Sequence, residues 1–242
     1  MTLDSTLINP ALDIAHHARV FRDQTRVQLR DFPTPTAAKQ LRAALEQEVA
    51  WGFAFKGSAT PQSLTAAQVA QLSTEQRRAI ANDVQQTAAK GGYAVRFNQF
   101  DILNTYLAKE QRDTLLDRYL EAINAAPFLD LMRQVTGIGA LVKADAQATL
   151  FAPGDFMSLH TDSHKTEGWR VAYVLNLADD GWSPEWGGYL NFFDADGDLV
   201  AGWRPRFNAL NLFLVPQPHH VSYVPPFAPE KRFAITGWLR DR

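Results

Sequence analysis

His160-Thr161-Asp162 sets an imidazole and a carboxylate two residues apart. On an extended strand such positions share a face, so both side chains can reach one cation. A second imidazole would complete a set of two histidines and one carboxylate. On a six-coordinate ion that set leaves three positions open, which is the pattern of non-haem Fe(II) oxygenases. The missing donor must come from a distant strand, and His219 and His220 compete for the place. Neighbouring strand residues face opposite ways, so only one of the two can join the set. His219 shares its face with Val221 and Tyr223, whereas His220 would point outward or into a loop.

Arg232 stands near the start of Lys231-Arg-Phe-Ala-Ile-Thr-Gly-Trp238. Its face carries Ala234, Thr236 and Trp238, and the opposite face carries Phe233, Ile235 and Leu239. An arginine enclosed in a barrel requires an anion, because an unpaired buried charge is costly. A dicarboxylate would supply one through a bidentate fork, and small Ala234 leaves room for it. Other polar groups carry less signal. His16 and His17 have no useful spacing, and His164 reads as a solvated loop residue after Asp162. Asp194-Ala-Asp-Gly-Asp198 lacks the downstream Glu of a calcium loop and reads as a hairpin turn. Trp182 and Trp186, beside Gly187-Gly188, are candidates for packing or for substrate contact. Gly91-Gly92 lacks the context of a phosphate loop.

The elements that must position these groups divide the chain in two. Before about residue 140, apolar residues recur at helical spacing. Ala38, Leu41, Leu45 and Val49 form one stripe of a helix over Thr36–Val49, with Pro35 at its start. Ser73-Thr-Glu-Gln76 is a capping-box pattern opening a helix that runs to Lys90. Further helices are expected over about Lys109–Ala125 and Phe128–Thr136, the last stopped by Gly137, with a strand over Val27–Phe32 and a loop over Gly57–Thr65. From Ala140 the period changes to two. Strands are expected near Ala144–Phe151, Phe156–His160, Arg170–Leu177, Gly188–Phe193, Ala209–Val215, His219–Val224 and Arg232–Arg240. Short strands at that spacing suggest an antiparallel sandwich or barrel, with the helices packed on one sheet.

Composition narrows the function classes. The chain has 242 residues, 46% hydrophobic and 21% charged, a globular balance. A net charge of −2 offers no basic excess for general nucleic-acid binding. With no cysteine there is neither a disulfide scaffold nor a thiolate ligand or nucleophile. No apolar run approaches the ~20 residues of a membrane span, and Met1–Phe21 lacks the apolar core of a secretion signal. The expectation is a soluble cytoplasmic protein with no nucleic-acid or membrane partner; nothing bears on its oligomeric state.

The ordered set His160-x-Asp162, Gly187-Gly188, His219-x-Val221, Arg232 and Thr236-Gly-Trp238 resembles the Fe(II)/2-oxoglutarate-dependent dioxygenases. Within them it looks like the prolyl-hydroxylase branch, closest to the bacterial predicted proline hydroxylases and similar to the hypoxia-inducible-factor and ribosomal-protein prolyl hydroxylases. Lys143–Thr149 followed by Ala152-Pro-Gly-Asp-Phe156 adds to the likeness, which covers about residues 90–242. The resemblance implies an α+β fold: a double-stranded β-helix (jelly-roll, cupin-like) core with N-terminal helices on one sheet. It implies a single dioxygenase domain over 1–242, with about 1–139 as helical support and about 140–242 as catalytic core. It further implies His160, Asp162 and His219 as iron ligands, Arg232 as partner of the 2-oxoglutarate C5 carboxylate, and Tyr173 as a second contact to that carboxylate. Fe(II), 2-oxoglutarate and O2 follow as cofactor and cosubstrates, with ascorbate a candidate reductant. The implied reaction hydroxylates a substrate carbon, foremost a prolyl residue of a protein or peptide, with release of succinate and CO2. The alternatives are a hydroxylase of a free amino acid or small natural product, and a non-catalytic jelly-roll sensor or interaction module. The chain departs from the family pattern at Phe151, where relatives often carry a tyrosine able to contact the cosubstrate.

Overall fold

The computed structural model describes residues 7–108, 113–162 and 166–242. Seven α-helices precede the catalytic strands: α1 (Ile14–Gln24), α2 (Pro35–Gln47), α3 (Ala66–Ala70), α4 (Thr74–Ala89), α5 (Ile102–Ala108), α6 (Leu115–Asn124) and α7 (Ala126–Thr136). Between them lie β1 (Arg26–Arg30), β2 (Gly52–Lys56), β3 (Gln62–Leu64) and β4 (Val95–Phe100). After them come β5 (Lys143–Ala144), β6 (Gln147–Phe151), β7 (Phe156–Thr161), β8 (Trp169–Asn176), β9 (Leu190–Phe193), β10 (Leu199–Trp203), β11 (Ala209–Leu214), β12 (Pro218–Val221) and β13 (Arg232–Arg240).

The helix boundaries follow from local chemistry. Pro35 opens α2 behind the Thr34 cap, and Ala38, Leu41 and Leu45 are buried on one stripe, while Val49 lies past the helix end. At α4 the Ser73 hydroxyl accepts from the Gln76 N–H and the Gln76 side chain returns to the Ser73 N–H, so two otherwise unpaired donors are satisfied. Gly137, at φ +71°, ends α7 in the left-handed conformation. The expected helix over Lys109–Ala125 is α6, which starts later behind a Thr114 capping box; residues 109–112 of that expectation lie outside the described residues.

Among the described residues all thirteen strands join one strongly curled antiparallel sheet, ten of them in the order β1-β11-β8-β13-β6-β4-β7-β12-β9-β10, with β2 beside β4, β3 beside β2 and β5 beside β13. β4 pairs with both β6 and β7 and so links the two halves of the jelly roll. The strands are not confined to the region after residue 140. β1 is an edge of the larger half, β4 is the hinge, and β3 occupies part of the expected loop over Gly57–Thr65. Helices cover the outer face of the larger half. Leu41, Leu45, Tyr119 and Met132 pack there against Val171, Leu175, Leu212 and Ile235. The inner face belongs to a separate cluster of Ala172, Val174, Leu190, Phe192, Phe213 and Ala234, clamped between the two halves. β8 is therefore buried on both faces and reads as a continuous apolar run rather than an alternating one. This is the α+β fold expected, a double-stranded β-helix with helices on one sheet.

Candidate metal and cosubstrate site

Antiparallel pairing brings the sequence-distant donors together. β12 lies beside β7 with His219 directly opposite His160, and the two rings are 4.2 Å apart between centroids. Asp162 follows the end of β7. His160 Nε2 is 3.6 Å from its Oδ1, and His219 Nε2 is 3.8 Å from its Oδ2. One donor atom from each of the three lies within 4.8 Å of the others, a span that one first-row metal can bridge, and the donor types suit Fe(II).

Each imidazole is held for that task. Nδ1 of His160 is 2.9 Å from the Ser158 carbonyl, and Nδ1 of His219 is 2.9 Å from the Gln217 carbonyl. A carbonyl can only accept, so Nδ1 carries the proton in both rings and Nε2 keeps a free lone pair facing Asp162. Burial, followed by repulsion from His160, lowers the His219 pKa to about 4, so this ring is neutral at pH 7. His220 points the other way. Its Nε2 is 2.9 Å from the Asn191 side-chain nitrogen and its ring abuts Phe193.

The carboxylate is also held. Trp238 Nε1 donates to Asp162 Oδ2 at 3.0 Å, and the Trp238 ring stacks on Trp169 at 3.9 Å. Behind Trp238, its backbone N–H donates to Asp145 Oδ1 at 2.6 Å, while Arg240 pairs with the same carboxylate. Sequence reasoning marked Trp238 as part of a motif but assigned it no task. Tyr93 was also missed. Its ring lies 5.9 Å from that of His160 at the mouth of the cavity, and burial, then Asp162, raises its hydroxyl pKa.

Arg232 shares with the three donors a cavity of about 270 Å³. Its face also carries Ala234, Thr236 and Trp238, because β13 pairs these with the inward Asn176, Val174 and Ala172 of β8. Arg232 is 2% exposed. Among the described residues the only hydrogen bond of its side chain is a long one, 3.4 Å to Asn176 Oδ1, and its Nε has no partner. Among the described residues no carboxylate lies within ion-pair range. Burial lowers its pKa to about 10, which still leaves a full charge at pH 7. A buried, charged and under-satisfied guanidinium fits a missing dianionic ligand such as 2-oxoglutarate. Gly188, at φ +67°, permits the crowding behind it, since a Cβ there would lie 3.3 Å from both Arg232 Cδ and the Trp182 ring. Phe151 pairs with Arg232 across the strands, stacks on Phe97, and has the guanidinium carbon 5.1 Å from its ring centroid. At the departure from the family pattern, a ring face meets the cation without a hydroxyl.

Tyr173 borders the same cavity as Arg232, but its hydroxyl is already engaged elsewhere. Its side chain leaves the opposite face of β8 from Ala172 and Val174 and joins the cluster under the helices. Its hydroxyl donates to the Asp145 carbonyl at 2.7 Å, a close approach made possible by Gly237, where a Cβ would collide with both groups. It thereby supports the strand that carries Trp238. His164 lies outside the described residues. His16 and His17 sit on α1, away from the cavity. Asp194 accepts from the N–H groups of Asp196 and Asp198 in the tip of the β9–β10 hairpin, as expected of a turn. Among the described residues no helix is long and apolar enough to cross a membrane.

Residues 146–240 match the family model of the 2OG-Fe(II) oxygenase superfamily. No curated protein sequence matches the chain. Among solved structures, a Pseudomonas putida prolyl-4-hydroxylase is 21% identical, covering 95% of this chain and 99% of that one at a TM-score of 0.55. A 2OG-Fe(II) oxygenase-family oxidoreductase from Burkholderia pseudomallei is 12% identical, covering 99% and 97% at 0.60. A Trichoplax adhaerens prolyl hydroxylase, solved with a hypoxia-inducible-factor peptide fragment, is 16% identical, covering 94% and 89% at 0.58. These likenesses concern the fold. The matched segment holds His160, Asp162, His219 and Arg232, and it identifies residues 146–240 as a 2OG-Fe(II) oxygenase domain.

Proposed function

We propose that this enzyme hydroxylates a prolyl residue of a polypeptide, with Fe(II) held by His160, Asp162 and His219 and the distal carboxylate of 2-oxoglutarate held by Arg232. The observation that carries the site assignment is the sharing of one cavity by the two-histidine, one-carboxylate set and an uncompensated buried guanidinium. Iron, 2-oxoglutarate and O2 would supply the oxidising power there, with succinate and CO2 released. The chain's own groups orient and shield. Ser158 and Gln217 fix the tautomers of the imidazoles, Trp238 fixes the carboxylate, and Phe97, Phe151, Leu190 and Phe213 keep the walls apolar. In this reading the helical region and the jelly roll form one domain, supported by the apolar cluster that runs from α2 and α6 into β8 and β13.

The substrate class rests on likeness to prolyl hydroxylases, one of them solved with a peptide, and on a cavity mouth bordered by exposed Tyr93. The test compares the proteomes of cells with and without this gene for one added oxygen atom on proline. A modified proline that disappears with the gene, and returns with the wild type but not with His160→Ala, is the expected result. Succinate formation driven by a free amino acid or small molecule, with no proline modified, would overturn the polypeptide reading. No succinate with any substrate would favour a non-catalytic role.

A further inference from the structure

Two hollows run on from the metal-ligand cavity on the far side of Trp238. The nearer, of about 140 Å³, shares Gln147 and Trp238 with that cavity and is mixed in character, with Asp101 and Asn104 beside Leu103 and Ala146. The farther, of about 500 Å³, shares Leu103, Asp145 and Arg240 with the nearer one and is walled by Leu107 and Leu120. Shared wall residues set the three side by side, as the segments of one trench would be. Along this row the lining changes from the reaction centre to mixed to mainly apolar. Asp145 is already engaged by Trp238 and Arg240, whereas the Gln147 side-chain amide has no partner among the described residues. Leu107, 64% exposed, presents an apolar side chain at the far wall.

We propose that this trench is the docking track of the polypeptide substrate. The Gln147 amide pairs with the substrate backbone, and an apolar substrate side chain seats between Leu103, Leu107 and Leu120. This rests on the polypeptide reading above. A free amino acid would fill the inner cavity alone, and only a chain has the length to use the trench. The length also sets a register. Trp238 and Arg240 are two residues apart on β13, about 7 Å, and the apolar hollow begins beside Arg240. Its centre therefore lies roughly 10–13 Å beyond Trp238, three or four residues of extended chain. The seated apolar side chain is expected about that many residues from the hydroxylated proline, on one side of it only.

The test is a library of peptides with a central proline and randomised flanks, incubated with enzyme, Fe(II), 2-oxoglutarate and O2, with the hydroxylated pool sequenced by mass spectrometry. Wild type should enrich large apolar residues about tenfold at one position three or four residues from the proline, as expected for seating a leucine side chain. Leu107→Glu should erase that enrichment, and Leu107→Met should keep it. Thermal midpoint and 2-oxoglutarate affinity should stay unchanged in both, because Leu107 is exposed and outside the catalytic cavity. Hydroxylated proline with a flat flanking profile, or enrichment that survives Leu107→Glu, would overturn the track and leave the prolyl reading standing. Turnover of free amino acids with no peptide modified would overturn both. Self-association of the wild type that Leu107→Glu abolishes, without change in the peptide profile, would assign the apolar hollow to a second copy of the chain and overturn the track.

Discussion

Arg232→Met should make the ligand-free protein more stable while abolishing its affinity for 2-oxoglutarate. Burial brings the Arg232 guanidinium well below the ordinary arginine range, to about 10. At about 1.36 kcal/mol per pH unit, that corresponds to about 3 kcal/mol of cost in keeping the charge inside the fold. Two gains oppose it. The contact with the Phe151 ring contributes about 0.5–2 kcal/mol, and the 3.4 Å hydrogen bond to Asn176 adds little. The net expectation is about 1–2 kcal/mol of stabilisation, or a midpoint raised by roughly 3–6 °C for a chain of this size. The same substitution removes the one charged group in the cavity able to pair with a distal carboxylate. Truncating one partner of such a buried pair costs about 2–5 kcal/mol of binding, roughly 30- to several-thousand-fold in affinity. The assay is scanning calorimetry of metal-free wild type and variant, with and without 2-oxoglutarate. Only the wild type should shift with ligand. A variant destabilised like an ordinary core truncation would show that Arg232 is already satisfied by the protein. An undiminished ligand shift would refute the anchor itself.

Asp162→Ala should abolish stoichiometric Fe(II) binding with the fold retained in circular dichroism, whereas His220→Ala should bind iron as the wild type does. The reverse pattern for His220 would mean that the β12 register is misread by one residue. Trp238→Phe removes the donor to Asp162 Oδ2 but keeps an aromatic ring on Trp169; metal affinity should fall about 10–100-fold, read by anaerobic titration. The apo protein should also carry an acid limb from His219. An unfolded histidine takes up its proton near 6.5 and this one only near 4. Its contribution is therefore complete above pH 6.5 and lost as pH falls toward 4, by up to about 3 kcal/mol. Urea midpoints across that window should flatten in His219→Gln, and an equal slope in both proteins would exclude His219 as the source.

The catalytic half of the fold was legible because its strands are short, punctuated by Pro and Gly, and carry chemistry on one face. Period-two alternation puts His160 and Asp162 on one face, and Arg232 on one face with Ala234, Thr236 and Trp238, while the resemblance supplied their roles. Tyr173 lay beyond that reasoning and came from the resemblance alone. β8 is buried on both sides, so alternation carries no hydrophobic contrast and cannot say which face meets the cavity. β10, with exposed Leu199 and Val200 on an edge, and the β2–β3 hairpin, mostly half-buried or exposed, lacked the apolar contrast that would have flagged them. The hydrogen bond from Trp238 to Asp162 joins residues 76 apart in sequence. Spacing has no access to such a pair until the sheet order is known.

The two ends of β13 do different work: Arg232 stands at the first residue and Trp238 at the seventh. The proposed cosubstrate anchor and the donor to Asp162 are therefore marks on one ruler, with six residue steps between them. An inserted or deleted residue between them would turn one mark to the wrong face, and even a pair, which keeps the face, would move the marks apart or together by about 7 Å. The strand is thus intolerant of length change, while the Asp194–Asp198 tip, whose backbone is bonded only within its own hairpin, can be lengthened or shortened freely. Engineering that grafts new binding loops onto this scaffold should use the hairpin tip and leave the spacing of β13 untouched.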